Sequence, residues 1–439
     1  MPCFRACALV IFACAVAALF AAPCHGKETL TLDRALDLAL ERNPGIAVSA
    51  QDVAASQARV SQAVSATRPQ VGAQAGYQRK WYANEKSATG AGATDNPFDW
   101  FTASVSLSQY IYDFGQTGGK IESGRQELAA ARQDLKKTAA DVVRDVKYAY
   151  YEVLKRERLA VVSDESILIQ EQHLAQSRGL YEIGARPKID VTKAEADLAA
   201  SRLTRIQARN AASVARVNLE SILGGPPLQT PYDLVNPAEP APLSPVAGSL
   251  QSLVREAMAR RPDVLALEAR IRAAQSRLSS MEALRYPSLT GQGSYAWQDT
   301  GVWMVDQNAW QLGAQATWTL YAGGKIEGQI AESRAGLQAL KEQTRQLRLS
   351  VFGEVSSSHL NVAAAKEAIE TARVALANAQ ENMNLAEGRY KAGAGSAIEY
   401  SDAQLALTQA KSNLVQATYL LLQDQADLEK SLGKGAPGK

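Results

Sequence analysis

Residues 310–320 read WQLGAQATWTL. Every even-numbered position, from Trp310 to Leu320, is apolar, and every odd-numbered position is Gln, Gly or Thr. Because successive side chains of a β-strand point to opposite faces, this alternation predicts a strand with one apolar and one polar face. Alternation over about ten residues, with polar residues suited to a wet surface, is typical of a strand in a membrane β-barrel.

Three further segments alternate in the same way, and the four predicted strands cover about residues 69–80, 100–112, 287–298 and 308–321. All six tryptophans lie within or beside them, namely Trp81, Trp100, Trp297, Trp303, Trp310 and Trp318. An aromatic girdle at the membrane interfaces produces such a bias, whereas a soluble half-buried sheet does not. Since four strands cannot close a barrel and lipid does not tolerate an open edge, the barrel must be shared between chains.

The chain contains two copies of one plan. The matched positions are Arg42-Asn43-Pro44 with Arg260-Arg261-Pro262, Tyr112 and Gly115 with Tyr321 and Gly324, Tyr181 and Gly184 with Tyr390 and Gly393, and Asp190 with Glu399. Seven of the 16 prolines lie between the copies, from Pro226 to Pro245, where neither a helix nor a central strand is expected. We therefore predict a first repeat at 27–225, a linker at 226–248, a second repeat at 249–433 and a tail at 434–439.

Long helices are predicted for the rest of each repeat. No proline occurs from Ser288 to Ala436, and apolar or small residues recur at steps of three and four from Leu128 to Val153. This spacing is a coiled-coil seam. A helix from about 119 to 179 would be roughly 90 Å long at 1.5 Å per residue. Each repeat is therefore predicted to run helix, strand hairpin, long helix and return helix.

The amino terminus has the pattern of a secretory signal peptide. Arg5 precedes an apolar run, Ala6 to Ala22, and a short exit segment follows, so residues 1–26 are expected to be removed. All four cysteines lie in this segment, at Cys3, Cys7, Cys14 and Cys24. The mature chain would then have no disulfide and no zinc-thiolate site. A lipid-modified Cys24 is the alternative.

The sequence contains no recognisable motif for catalysis, cofactor binding or metal binding. The formal net charge is +2, which gives no reason to expect a nucleic-acid partner. The only histidines are His25, His173 and His359, and they are far apart in the sequence. Since no catalytic triad, phosphate loop or metal-ligand spacing accompanies them, we predict neither an enzyme nor a bound cofactor or metal.

With this order of elements, the chain resembles the TolC-type outer-membrane efflux proteins. The marks are Ala39–Pro44 and Ala257–Pro262, the strand exits at 112–115 and 320–324, and the helix returns after Tyr181 and Tyr390. The resemblance implies a mainly helical homotrimer that shares one twelve-stranded barrel in the outer membrane and continues as a helical tunnel in the periplasm. It also implies a periplasmic adaptor and an inner-membrane transporter as partners, with small toxic compounds or secreted polypeptides as cargo.

The resemblance assigns roles to the two returns, YEIGARP at 181–187 and YKAGAGS at 390–396. It places adaptor docking at their tips, which are Gly184, Ala185, Gly393 and Ala394. A turn without a partner is the alternative, because glycine supplies the positive φ that a tight reversal needs.

The resemblance also implies a periplasmic constriction lined by Glu399 and Asp402, with Tyr390 and Asp190 among the contacts that close it. Ser396 and Glu399 have the spacing of a capping box, which explains Glu399 by helix stability alone. The chain departs from the family at Gly395, where an arginine would strengthen closure, and Arg186 is the open candidate to replace it.

Two other functions were considered. A soluble periplasmic coiled-coil scaffold explains the helices but not the strand pairs. A periplasmic adaptor needs a compact all-β domain of the lipoyl type, and no such segment flanks the helices.

Overall fold

The computed structural model of this chain describes residues 28–80, 98–225, 232–236, 249–299 and 307–434. Within these ranges the elements are β1 (Glu28–Leu30), α1 (Leu32–Arg42), α2 (Pro44–Ser65), β2 (Gln70–Lys80), β3 (Phe98–Tyr112), α3 (Gln116–Glu182), α4 (Lys188–Leu223), β4 (Tyr232–Leu234), α5 (Leu250–Arg260), α6 (Pro262–Glu282), β5 (Ser288–Asp299), β6 (Gln307–Thr317), α7 (Lys325–Lys391) and α8 (Ala397–Ser431). The prediction of a mainly helical chain with a doubled element order is confirmed. None of the described helices has an apolar stretch long enough to cross a lipid bilayer.

Two helices precede each strand hairpin, where the sequence analysis counted one. Pro44 and Pro262 begin α2 and α6, and the residue before each is extended, with ψ of 121° at Asn43 and 126° at Arg261. A proline ring disfavours helical geometry in the residue before it, whereas proline itself fits the first turn of a helix. The repeated Arg-x-Pro mark is therefore the break between two helices.

The chain divides into two compact units, and each unit draws on both repeats. Among the described residues, the first unit comprises 28–44, 141–225, 232–236 and 358–430, and it contains both helix returns. The second comprises 45–80, 98–140, 249–299, 307–357 and 431–434, and it contains all of β2, β3, β5 and β6. Each unit is thus assembled from segments that are distant in sequence.

A small parallel sheet in the first unit includes part of the linker. β4 pairs with β1, from Glu28 opposite Tyr232 to Leu30 opposite Leu234. The fully buried Tyr150 places its hydroxyl 2.9 Å from the carbonyl oxygen of Leu30 and 2.8 Å from that of Val235. Burial raises the pKa of Tyr150 to about 12, so this hydroxyl keeps its proton at neutral pH. The linker was expected to hold neither a helix nor a central strand, and between its prolines it contributes a short strand to this two-stranded sheet.

The second unit contains one antiparallel sheet in the order β2-β3-β5-β6. β3 of the first hairpin pairs with β5 of the second, from Phe101 opposite Asp299 to Tyr112 opposite Leu289. β6 ends at Thr317, short of the predicted end at residue 321. Its partner strand begins at Ser288, directly after Pro287, and proline has no N–H to donate to the ladder.

The register gives this sheet one apolar and one polar face. Leu107, Gly293 and Leu312 follow Val71 in a row across the apolar face. The neighbouring row on the polar face is Gly72, Ser106, Ser294 and Gln311. Leu312 is 77% exposed, so no other part of the described chain covers this end of the apolar row.

Candidate functional site at the helix returns

The two returns have the same backbone design. In the first, between α3 and α4, Gly184 has φ of 72° and its N–H donates to the Tyr181 carbonyl oxygen at 2.9 Å. In the second, between α7 and α8, Gly393 has φ of 77° and its N–H donates to Tyr390 at 3.1 Å. A Cβ atom at either glycine would meet nothing within 4 Å. The left-handed backbone alone therefore requires glycine at these tips. The adjacent alanines, Ala185 and Ala394, are exposed.

Tyr390 is the buried centre of the second return. It is 1% exposed and packs in a cluster with Met383, Ala386, Ala397, Tyr400, Ala403 and Leu407. Its hydroxyl lies 3.1 Å from the Oγ of Ser177 on α3. The resemblance implied that Tyr390 and Asp190 belong to the contacts that close the constriction, and within the described residues they are not hydrogen-bonded to each other. The Tyr390 hydroxyl faces Ser177 instead, and the Asp190 N–H donates to the carbonyl oxygen of Pro187 at 3.2 Å.

Arg186 joins the two returns. One guanidinium nitrogen, Nη2, donates to the carbonyl oxygen of Gly395 at 2.7 Å. The guanidinium carbon also lies 4.9 Å from the centre of the Tyr390 ring, which is within the range of a cation–π contact. The sequence analysis left the role of Arg186 open, and only its place in a return pointed to it.

His173 on α3 lies behind this contact and is 2% exposed. Its ring stacks on Tyr400 and lies at 5.1 Å from Tyr390. Burial lowers the pKa of His173, while the carboxylates of Asp197 and Asp190 act in the opposite direction. The sequence analysis did not assign His173 to the site, because nothing in its local sequence places it against α8.

A polar network links α4 to α8. The ammonium of Lys193 donates to both carboxylate oxygens of Asp197, at 2.7 and 2.8 Å, and to the Oγ of Ser401 at 3.2 Å. The Ser401 hydroxyl in turn donates to Asp197 at 2.8 Å. Within the first hairpin, α3 and α4 share an apolar cluster of Ile167, Leu174, Ala194 and Leu198. The two hairpins are joined both by this polar network and by apolar packing, since Ile169 and Leu180 of α3 pack against the cluster around Tyr390.

Glu399 and Asp402 have different surroundings. The Glu399 N–H donates to Ser396 Oγ at 3.1 Å, as in a capping box, but the Glu399 carboxylate pairs with Arg389 at 3.0 Å. A capping box has two reciprocal hydrogen bonds, and the one from the Ser396 N–H to the Glu399 carboxylate is replaced by the ion pair with Arg389. Asp402 is exposed and lines a groove together with Lys193. Within the described residues, no group of three or more His, Cys, Asp or Glu could hold a metal ion.

The tryptophans do not share one face of the sheet. Trp310 belongs to the apolar face and is 78% exposed, and Trp297 is on the same face against Tyr295. Trp100 pairs with Gln78 and alternates with Phe101, so the register places it on the polar face. Trp318 lies beyond β6 and donates from Nε1 to the carbonyl oxygen of Arg285. Trp81 and Trp303 lie outside the described residues. The register therefore places Trp100 on the opposite face from Trp297 and Trp310, and the girdle stays a prediction.

The sequence matches the model of one protein family, outer membrane efflux protein, over residues 35–225 and 253–434. Similar proteins include the outer membrane efflux protein BepC of Brucella suis, which is 25% identical over 90% of this chain and 85% of the relative. The pyoverdine export outer membrane protein OpmQ of Pseudomonas aeruginosa is 24% identical over 88% and 83% of the two chains. The outer membrane protein TolC of Escherichia coli is 24% identical over 89% and 80%. These relatives are named as outer-membrane proteins rather than as enzymes.

Solved structures show the same fold. VceC of Vibrio cholerae aligns with a TM-score of 0.79 at 17% identity, over 92% of this chain and 96% of that one. The CmeC outer membrane channel of Campylobacter jejuni aligns with a TM-score of 0.82 at 15% identity, over 92% and 86%.

Proposed function

Since this chain belongs to the outer membrane efflux protein family, it is an export channel of the outer membrane, and we propose that three copies of it form one duct. The soluble scaffold and the adaptor are set aside, because the family match covers both repeats.

The four-stranded sheet carries the proposal of a shared barrel. Among the described strands, β2 and β6 are the outer ones, and each pairs on one side only. One face of this sheet is apolar and exposed, as a surface in lipid requires. A free strand edge in lipid leaves backbone N–H and C=O groups without partners, so the edges must pair with those of other copies. The number of copies is proposed to be three from the resemblance to the family, which gives a barrel of twelve strands.

The mass of the detergent-solubilised protein tests this assembly. In mild detergent, native mass spectrometry should find one species of about three subunits. The β-sheet content of this species, followed by circular dichroism, should persist until the complex dissociates. A stable monomer that retains its strands would contradict the shared barrel.

The helix returns are proposed as the periplasmic entrance of the duct. Gly184, Ala185, Gly393 and Ala394 form exposed tips, and these are the proposed docking points for a periplasmic adaptor that connects the channel to an inner-membrane transporter. Site-specific photo-crosslinking from Ala185 and Ala394 in intact cells tests this, with exposed Ala199 on α4 as the control position. Adducts with a periplasmic protein from Ala199 but from neither tip would contradict the docking proposal.

Asp402 and Glu399 are proposed to line the narrowest part of this entrance, with Tyr390 and Asp190 in the packing around it. Asp402 is exposed in a groove that Lys193 also lines, and the ammonium of Lys193 pairs with Asp197. In a symmetric trimer three copies of this carboxylate would surround one axis and favour cations.

The cargo is proposed to be small toxic compounds or secreted polypeptides. Support for small molecules comes from two relatives, one named for pyoverdine export and one for toluene efflux. Comparing accumulation of dyes and solvents in cells with and without the gene tests the small-molecule part.

A further inference from the structure

Trp100 differs from the other tryptophans of the described strands in the face that it occupies. It lies opposite Gln78 of β2, on the polar face that also carries Gln311 of β6. Trp297 and Trp310 lie on the apolar face. In a membrane barrel the apolar face meets lipid and the polar face lines the interior. In the proposed duct, Trp100 therefore belongs to the wall of the passage.

The wall around Trp100 carries no charge. Among the described residues, the polar face from Gln70 to Gln78 and the positions opposite it on β3, β5 and β6 hold Gln, Ser, Thr, Gly, Ala and Trp100. Amides and hydroxyls bind a neutral molecule through hydrogen bonds, but they give an ion no partner of opposite sign. The kind of molecule that fits this wall is therefore neutral.

Polar side chains and a gap surround the indole. Gln78 lies across from it on β2, and Gln298 of β5, opposite Thr102, stands diagonally from it at a separation that long side chains span. Gly76 is opposite Thr102 on the other side, and a Cβ atom at Gly76 would lie 3.0 Å from the Thr102 hydroxyl oxygen. The absence of a side chain at Gly76 leaves room beside Trp100 for a flat molecule.

An indole between two amides has the chemistry to bind an aromatic ring. Aromatic faces stack with an offset, at centroid distances of about 4.5–7 Å. The amides of Gln78 and Gln298 can both donate and accept, so they can bond hydroxyl or carbonyl groups at the edge of a stacked ring. Small-molecule sites commonly combine an aromatic surface with a few polar groups of this kind.

We propose that Trp100, Gln78 and Gln298 form a subsite in the wall of the duct for neutral, planar aromatic molecules that carry hydrogen-bonding groups. The indole stacks on the ring, and the two amides bind its substituents. This rests on the proposed function, in which the polar face of the sheet lines the duct. A trimer then carries three such subsites at one level of the barrel.

Fluorine NMR of the trimer, labelled with fluorotryptophan and held in lipid nanodiscs, tests the subsite. The resonance that is lost in Trp100→Phe belongs to Trp100, and Trp310→Phe assigns the control in the same way. Paracetamol, a neutral ring with a hydroxyl and an amide, should shift the Trp100 resonance to saturation and leave Trp310 without a saturable shift. The cyclohexyl analogue of paracetamol has the same polar groups without an aromatic face, so its effect should be several-fold smaller.

The amides are tested by a matched pair of variants on one strand. Gln78→Leu should raise the dissociation constant for paracetamol several-fold. Gln74→Leu, on the same face but about 13 Å farther along β2, should leave it unchanged. Equal effects of the two variants, or equal shifts with paracetamol and its cyclohexyl analogue, overturn the subsite. A saturable shift with maltose and none with paracetamol also overturns it.

Two paramagnetic probes separate a failure of the subsite from a failure of the duct. A water-soluble gadolinium chelate should broaden the Trp100 resonance, and a nitroxide carried on a lipid should broaden that of Trp310. The reverse pattern would mean that the polar face does not line a duct, and the subsite would be wrong with it. If water reaches Trp100 but paracetamol gives no saturable shift, only the subsite is wrong.

Discussion

His173 and Tyr400 lie face to face, with ring centroids 4.1 Å apart and ring planes inclined by 15°. The Nδ1 atom of His173 is buried and has no hydrogen-bond partner within the described residues. A neutral imidazole fits this place, because a protonated ring would bury a donor without an acceptor. The ionisable groups around it are Asp190, Lys193 and Asp197 of α4, with Tyr390 and Tyr400 from the other hairpin.

We expect the packing of the returns to weaken in acid. The pKa of His173 is lowered by burial, so above its ordinary value of about 6.5 the ring is neutral in both the packed and the open forms. As pH falls below that value, the open form takes up a proton first, and the packed form loses relative stability until its own lower pKa is reached. Amide hydrogen exchange at 174–186 and 388–400 should therefore be faster at acidic than at neutral pH, after correction for the intrinsic rates.

His173→Phe should abolish this acid-induced increase, since phenylalanine keeps the stack without titrating. His359→Gln on α7 is the control, because its ring lies away from the returns in sequence and its loss should leave the increase in place. An unchanged pH response in His173→Phe would remove His173 from the explanation.

Replacing a glycine of the returns by alanine should lower the stability of the fold, whereas the same change at a nearby helical glycine should raise it. Gly184→Ala or Gly393→Ala should destabilise the fold by roughly 1 kcal/mol, since φ is positive and nothing crowds the new Cβ. Gly179→Ala and Gly388→Ala, in the last turn of each helix with equally open surroundings, should stabilise by up to about 0.5–1 kcal/mol. Thermal unfolding of the four variants measures this. The same sign for both pairs would show that backbone conformation is not the cause.

Replacing Gly184 and Gly393 by valine should leave the trimer assembled and reduce export, if the tips dock a partner. Valine adds a β-branch to a left-handed position and so distorts the tip, but it touches neither the sheet nor the helix seams. Dye efflux from cells, with the amount of trimer in the membrane as the reference, measures it. Full efflux in both variants would leave the returns as turns without a partner.

Asp402→Asn should reduce cation selectivity and block by a trivalent cation, each by several-fold. The substitution keeps the shape of the side chain and removes three charges from the proposed ring. Glu399→Gln is the comparison, since the Glu399 carboxylate is already paired with Arg389 and its loss should change selectivity less. Planar-bilayer recordings decide between them. If Asp402→Asn conducts and blocks as the parent does, Asp402 is an ordinary solvated helix residue.

Adjacent residues of β6 offer a matched test of the two sheet faces. Leu312→Arg should prevent assembly in the membrane, because arginine on a lipid-facing strand costs about 2–4 kcal/mol near the bilayer midplane. Gln311→Arg places the same side chain on the polar face and should assemble normally. Folding into detergent or lipid vesicles, followed by gel mobility without heating, measures both. Equal tolerance of the two arginines is the result that would contradict the face assignment.

Tyr150→Phe should destabilise the first unit by about 1–3 kcal/mol, because the buried carbonyl oxygens of Leu30 and Val235 would lose a donor. Tyr148 on the same helix is 40% exposed, and Tyr148→Phe should cost much less. Chemical denaturation measures both variants. A similar cost for the two would mean that the phenolic hydroxyl of Tyr150 does not hold the small sheet.

The parts of this fold that could be predicted from sequence are the helices and strands in which apolar residues recur at a regular spacing. The alternation from Trp310 onward predicts a strand because side chains of a strand alternate whatever the strand pairs with. It misplaces the end of that strand, because the end depends on Pro287 in the partner. β4 could not be predicted for a different reason. Its three residues lie between prolines, and a segment so short has no recognisable alternation of apolar and polar residues.

Contacts between distant segments could not be predicted in this way. His173 has no local feature that distinguishes it from a solvated helix residue, and its role depends on α8 being packed beside it. Trp100 was assigned by residue type to the aromatic girdle, and only the register with Gln78 shows that it lies on the polar face of the sheet. Glu399 fits a capping box by spacing, but Arg389 competes for its carboxylate.

Arg186 and Gly395 occupy the same position in the two repeats, counted from Gly184 and Gly393. Their contact is therefore made between two descendants of one ancestral residue, one as donor and the other as acceptor. A pore built from identical single repeats would have arginine facing arginine, or glycine facing glycine, and neither pair makes this bond. Because the two copies stand in one chain, they can differ at this position and so be complementary.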